Sequence, residues 1–144
     1  MPELVPMKHI KAKVAAGDWQ EAIRAAGVPL AESGAIDPAY IDDMIGSVEE
    51  YGPYIVLTSG FALAHAAPSD LVKRDSVSLI TLKAPVDFGS TKGPVNVVMC
   101  LACTDRAFHL GGLGRIASVL MKDNMIGKLS RAESRGELYQ LING

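Results

Sequence analysis

Residues 95–103 read VNVVMCLAC, and only Asn96 breaks the apolar run. A strand with one face in water alternates apolar and polar residues. A run with almost no alternation needs cover on both faces. It is also far too short to cross a bilayer, which takes ~20 apolar residues. The stretch therefore predicts a central strand buried between two layers.

The flanking sequence supplies those layers. Residues 7–16 predict a first turn or two of helix. Asp18 is placed to cap a helix over 19–26, with Trp19, Ala22, Ile23 and Ala26 on one face, and Gly27 is placed to stop it. A short continuation through 30–33 ends near Gly34. Asp37-Pro38 starts a second helix, aspartate as cap and proline at the first helical position. Its Tyr40, Ile41, Met44, Ile45 and Val48 share a face, and Tyr51-Gly52-Pro53 ends it. The period then changes. Residues 54–58 and 61–65 predict short strands around Ser59-Gly60, and 76–83 predicts a third before the apolar run. After that run, Asp105 is placed to cap a helix over 106–121 with an apolar stripe of Leu113, Ile116, Ala117 and Leu120. Asp123-Asn124 restarts a short helix, and 133–141 gives the last. Helices, then strands, then helices imply a layered α/β domain, a mixed β-sheet flanked by helices.

At 144 residues the chain fits one domain, 1–144. It is 49% hydrophobic and 21% charged, which excludes a disordered chain. A net charge of −2 gives no footprint for nucleic acid or an anionic membrane. The opening MPELVPMKHIKAK lacks the apolar core of a signal peptide, so a cytoplasmic location is expected. Cys100 and Cys103 form a C-x-x-C, but inside a predicted strand an odd spacing sends them to opposite faces. Redox pairs sit at helix N-termini, and zinc needs two more ligands. Both cysteines are expected to be small buried hydrophobes.

Three histidines remain. His9 lies among Lys8, Lys11 and Lys13 and is expected on a solvated helix face. His65 ends the run FALAH, where alternation puts Phe61, Leu63 and His65 on one face and Ala62 and Ala64 on the other. Pro68 and Ser69-Asp70 then signal a turn. That pattern alone fits a structural histidine and a functional one equally. His109 follows the central strand in CTDRAFHLGGLGRIA, near a helix start that favours anions. Gly111, Gly112 and Gly114 miss the G-x-G-x-x-G spacing and follow the helix start, so they are expected at close packing sites rather than around a nucleotide. Imidazole is a competent nucleophile at neutral pH, and phosphoryl transfer needs mainly positioning and charge stabilisation. No magnesium loop or acidic metal cluster is evident. The pattern favours shuttling an already activated phosphoryl group over a nucleotide-dependent kinase.

At these residues the chain resembles the enzyme IIA proteins of the bacterial phosphoenolpyruvate:sugar phosphotransferase system. The likeness is to the mannitol/fructose-type superfamily, most closely its L-ascorbate-specific branch. It is carried by EYGPYIVLTSGFALAHA, VKRDSVSLITLKAPVDFG and GPVNVVMCLACTDRAFHLGGLGRIASVL, with a G-x-A-x-x-H strand and a D-x-x-x-H-L helix start. The resemblance implies that His65 accepts a phosphoryl group from the phosphocarrier HPr and passes it to a cysteine on a IIB protein. It implies that His109 is the supporting histidine. It implies phosphotransferase activity in sugar uptake with a membrane IIC as indirect partner, and it implies no cofactor, metal or nucleic acid. The imidazole nitrogen that carries the phosphoryl group stays open. Two departures stand out. Ala64 replaces the proline that usually precedes the active histidine, and Glu49 or Glu50 stands where relatives carry an arginine. Charge neutralisation then falls to Lys73, Arg74 or Arg106. Apolar residues available around His65 for partners are Phe61, Leu63, Ala66, Ala67, Phe108 and Leu110, with Ala66 and Leu110 nearest the rim. The alternative is a standalone regulatory IIA-like protein that senses phosphotransfer without passing phosphate to a IIB.

Overall fold

The computed structural model describes residues 3–144, with the backbone alone at Phe108 and His109. Five strands form one mixed sheet: β1 (Ile10–Val14), β2 (Val56–Thr58), β3 (Gly60–Ala64), β4 (Ser76–Val86) and β5 (Val95–Ala102). Their order is β1-β4-β5-β3-β2. β5 lies at the centre, antiparallel to β4 and parallel to β3. β1 runs parallel to β4 at one edge, and β2 closes the other edge antiparallel to β3.

The apolar run behaves as its composition dictates. Val98, Cys100 and Ala102 enter one core, and Val97, Met99 and Leu101 enter the other. The first core is covered by α1 (Trp19–Glu32) and α2 (Ala39–Tyr51). The second is covered by α3 (Arg106–Leu120), α4 (Met125–Arg131) and α5 (Arg135–Asn143). Cys100 belongs to the first core and Cys103 to the second, so the two thiols face apart as their spacing requires. Burial pushes them up to about 12 and about 11, which keeps both protonated.

α2 follows its sequence signals closely. The Asp37 carboxylate accepts the Ala39 N–H at 2.9 Å, and Pro38 already has helical φ and ψ. Gly52 ends the helix at φ +86°, a conformation glycine adopts without strain. Asp18 caps α1 through the Glu21 N–H, as expected. α1, however, does not stop at Gly27 and runs on through Pro29 to Glu32. The glycine is there for packing, since a Cβ on it would lie 2.7 Å from Ile41 Cγ1 of α2. Close approach of the two helices overrides the local stop signal.

The N-terminal expectation is also corrected. Residues 7–16 do not form a helix; a 3-10 turn, Met7–His9, leads straight into edge strand β1. The lysines there are the outward residues of an edge strand, where charge discourages further pairing. His9 is not solvated. It is 5% exposed, with Nδ1 3.1 Å from the Val77 carbonyl and Nε2 2.9 Å from Ser33 Oγ. Desolvation chiefly holds its pKa below the usual histidine value, helped by the charges of Lys8 and Arg74.

In α3, Ile116 is buried as expected, whereas Ala117 faces solvent. Gly112 is a close packing site, with a Cβ position 2.9 Å from Leu101 Cδ1, but Gly111 and Gly114 face open space. No described helix is long and apolar enough to cross a membrane.

Two glycines should respond oppositely to the same change. Gly27→Ala should lose about 1–3 kcal/mol by overpacking against Ile41. Gly46→Ala, in α2 with nothing within 4 Å of its Cβ, should gain about 0.5–1 kcal/mol. Urea denaturation of both variants checks the contrast. His9 supplies a pH test. Its folded pKa is depressed, so the unfolded state binds more protons below about pH 6.5 and stability falls as pH drops through that window. A His9→Gln variant should show a shallower fall of melting temperature between pH 7 and 5 than the parent.

Candidate functional site

β3 and β5 are neighbours, run parallel, and pair Ala64 with Cys100. Their C-terminal ends therefore lie together at one end of the sheet. His65 follows β3 directly, and α3 begins four residues after β5 ends. Phe61 and Leu63 lie in the core covered by α3, α4 and α5, while Ala62 and Ala64 lie in the other core. The alternation expected for FALAH is thus observed from Phe61 to Ala64.

The His65 ring is partly buried. Its Nδ1 lies 2.8 Å from the Leu63 carbonyl oxygen. A carbonyl can only accept, so Nδ1 carries the proton, and the lone pair of the neutral ring sits on Nε2. The Tyr54 ring stands edge-on to the imidazole, with centroids 5.3 Å apart and planes at 90°. The Tyr54 hydroxyl also reaches the His65 carbonyl at 3.5 Å. Burial raises the Tyr54 phenol, opposed by a hydrogen bond with Ser47.

The next residue is anchored from the opposite layer. Tyr40 of α2 donates its hydroxyl to the Ala66 carbonyl at 2.9 Å and accepts the Ala66 N–H at 3.1 Å. Burial pushes the Tyr40 phenol far up, so it stays protonated and keeps both bonds. Neither tyrosine was singled out from sequence. Tyr54 follows the Gly-Pro helix stop and reads as an ordinary strand aromatic. Tyr40 reads as a core residue of α2, and nothing local announces a bond to Ala66.

Of the apolar residues expected around His65, Phe61 and Leu63 are fully buried and unavailable to a partner. Ala66 is also buried, at 7% exposed, because its backbone is tied to Tyr40. Ala67 and Leu110 are exposed. The side chains of Phe108 and His109 lie outside the described residues, and the backbone places His109 in the first turns of α3. Among the basic candidates, Arg74 donates to the Ser33 carbonyl at the end of α1, and Lys73 donates to the Asp70 carbonyl. Arg106 is the first residue of α3 and is exposed. Glu49 and Glu50 are exposed in the last turn of α2. Among the described residues, no group of three or more His, Cys, Asp or Glu side chains could hold a metal ion.

A five-stranded mixed sheet between two helical layers is the fold of solved mannitol-type IIA proteins. The solved mannitol-specific cryptic phosphotransferase enzyme IIA of Escherichia coli matches with a TM-score of 0.88 at 29% identity, covering 96% of this chain and 95% of that one. The complex of mannitol enzyme IIA with phosphorylated enzyme IIB from the same species matches in fold, with a TM-score of 0.84 at 22% identity over 96% of each chain. In sequence, the ascorbate-specific phosphotransferase system EIIA component of Mycoplasma pneumoniae is 36% identical over 129 residues, covering 89% of this chain and 81% of that one. The family model "Phosphoenolpyruvate-dependent sugar phosphotransferase system, EIIA 2" matches residues 3–144, and the chain belongs to that family. It is thus a phosphotransferase component of a sugar transport system.

Tyr40→Phe should leave the buried Ala66 N–H and carbonyl without their partner and lose about 1–3 kcal/mol. The check is chemical denaturation, read beside the His65 ring resonances, which should broaden or shift in the same variant.

Proposed function

We propose that the chain is a phosphohistidine carrier acting as one enzyme IIA unit, with His65 as the residue that takes the phosphoryl group. The carrying observation is the bond from His65 Nδ1 to the Leu63 carbonyl, which leaves the nucleophilic lone pair on Nε2. In the first transfer, Nε2 attacks the phosphorus of phospho-HPr. The N–P bond to the HPr histidine breaks and the bond to Nε2 forms. Positive charge grows on the His65 ring during attack, and the bond from Nδ1–H to Leu63 strengthens as it does. In the second transfer, a IIB cysteine thiolate attacks the same phosphorus, and the N–P bond breaks to restore the neutral ring. Membership of the EIIA family supports both partners, and a solved IIA–IIB complex on the same fold supports the second. His109 supports the reaction from the helix that begins beside the end of β3. L-ascorbate is the proposed sugar, on the strength of the ascorbate-specific relatives, and membrane IIC is an indirect partner. Work with HPr places the protein in the cytoplasm.

Incubation with phosphoenolpyruvate, enzyme I and HPr should add one acid-labile phosphoryl group, and nitrogen-resolved NMR should find it on Nε2. His65→Ala should abolish labelling; undiminished labelling of that variant would show the wrong acceptor. His109→Ala should slow labelling by about 10²-fold while leaving some. A protein that labels on His65 but never passes phosphate to a cognate IIB is the regulatory alternative.

A further inference from the structure

Between α3 and the N-terminal segment, over the ends of β4 and β5, lies a cavity of about 870 Å³. His65 does not line it. A second hollow of about 570 Å³ shares Leu4, Gly111 and Arg115 and extends it along α3. The space is a groove open to solvent, with Lys8, Arg74, Asp75 and Arg115 of its wall exposed. α3 leaves it open. Of its described residues only Ile116 is buried, and Ala107, Gly111 and Gly112 present almost no side-chain volume to the cavity. Gly112 brings the helix against Leu101, whereas a Cβ on Gly111 would meet nothing within 4 Å. The volume falls in the range of small-molecule sites.

The wall is mixed in charge, with Lys8, Arg74 and Arg115 beside two carboxylates, Glu3 and Asp75. Arg74 gives one guanidinium donor to the Ser33 carbonyl at 2.7 Å, and both carboxylates keep their charge while accepting from neutral donors. Glu3 accepts the Tyr139 hydroxyl, and Asp75 accepts the Thr104 N–H at 2.7 Å and its hydroxyl at 3.1 Å. No described carboxylate lies within ion-pair distance of Lys8 or Arg74. Most of the rest of the wall is apolar: Leu4, Pro6, Val77, Leu101 and Cys103.

We propose that this cavity binds a small organic anion, one carboxylate or phosphate group carried on a compact body with an apolar face. Lys8 and Arg74 take the charged group, Arg74 through the guanidinium donors not given to Ser33. Leu4, Val77, Leu101 and the glycine face of α3 take the body. The ligand touches the helix that carries His109, so its binding fixes how α3 seats on the sheet. The site does not depend on the phosphocarrier reading, and the test below uses no phosphotransfer.

The experiment is an amide NMR titration of the full chain with four probes: benzoate, phenyl phosphate, inorganic phosphate and benzyl alcohol. Benzoate or phenyl phosphate should shift the amides of Leu101, Ala107, Gly111 and Gly112 saturably, and the tighter of the two identifies the anionic group. Benzyl alcohol and inorganic phosphate should each bind about tenfold more weakly, one lacking charge and the other the apolar body. Arg74→Gln should weaken the better anion several-fold. Gly111→Leu should abolish its binding by filling the space, with a melting curve to show that the chain still folds. No saturable shift with either aromatic anion overturns the proposal. So does equal binding of benzyl alcohol or inorganic phosphate, or unchanged binding in Arg74→Gln.

Discussion

The structure depends on the burial of β5 from both sides. Val97, Met99 and Leu101 go one way, and Val98, Cys100 and Ala102 the other, all at 2% exposure or less. Fully burying a valine, leucine or methionine side chain is worth about 1.5–3 kcal/mol. A slip of one residue would exchange the contents of the two cores, so the register is strongly specified. With β5 fixed, β3 is fixed beside it through Gly60–Ala64, and the two strands end together. The placing of His65 and the start of α3 at the same end of the sheet is therefore a consequence of core packing.

The site adds polar anchors at the point where sheet pairing stops. Leu63 supplies a carbonyl to the His65 ring, and Tyr40 takes both backbone groups of Ala66. The two anchors come from opposite layers of the fold. Residue 65 is held between them. Tyr54 limits the ring further by standing edge-on to it. On the proposed carrier reading His65 is met by two different proteins, and a rigid mount reduces the conformational entropy lost at each encounter.

Much of this was legible in the sequence, and the reasons differ by element. Alternation in FALAH gave the correct faces because β3 is pressed between two cores and each face is read by burial. The start and stop of α2 were legible because Pro38 takes the helical φ and ψ of a first turn and Gly52 the positive φ of a helix end, both local backbone preferences. Residues 7–16 were misread because an edge strand with outward lysines carries the same composition as a solvated helix, and only the partner strand distinguishes them. His9 was misread with them: its burial comes from Val77 and Ser33, both distant in sequence. Gly27 looked like a stop because its true constraint, Ile41, lies on another helix. The roles of Tyr40 and Tyr54 were invisible for the same reason, since each depends on a contact across the fold.

The departures at Glu49, Glu50 and Ala64 bear on how a phosphoryl group on His65 would be neutralised. Two of the three basic candidates are bonded elsewhere, Arg74 to the Ser33 carbonyl and Lys73 to the Asp70 carbonyl. The acidic pair stays in solvent in the last turn of α2, where screening by water weakens its repulsion of a phosphoryl dianion. What remains near the strand ends is the opening of α3, a fifteen-residue helix whose first residue is Arg106. A helix start offers backbone N–H groups and the positive end of the dipole, and an arginine there adds a full charge with forked donors. The same helix is thinly packed over the cavity beside it. Its seating on the sheet thus bears both on how well it can neutralise the phosphoryl group and on what the cavity holds.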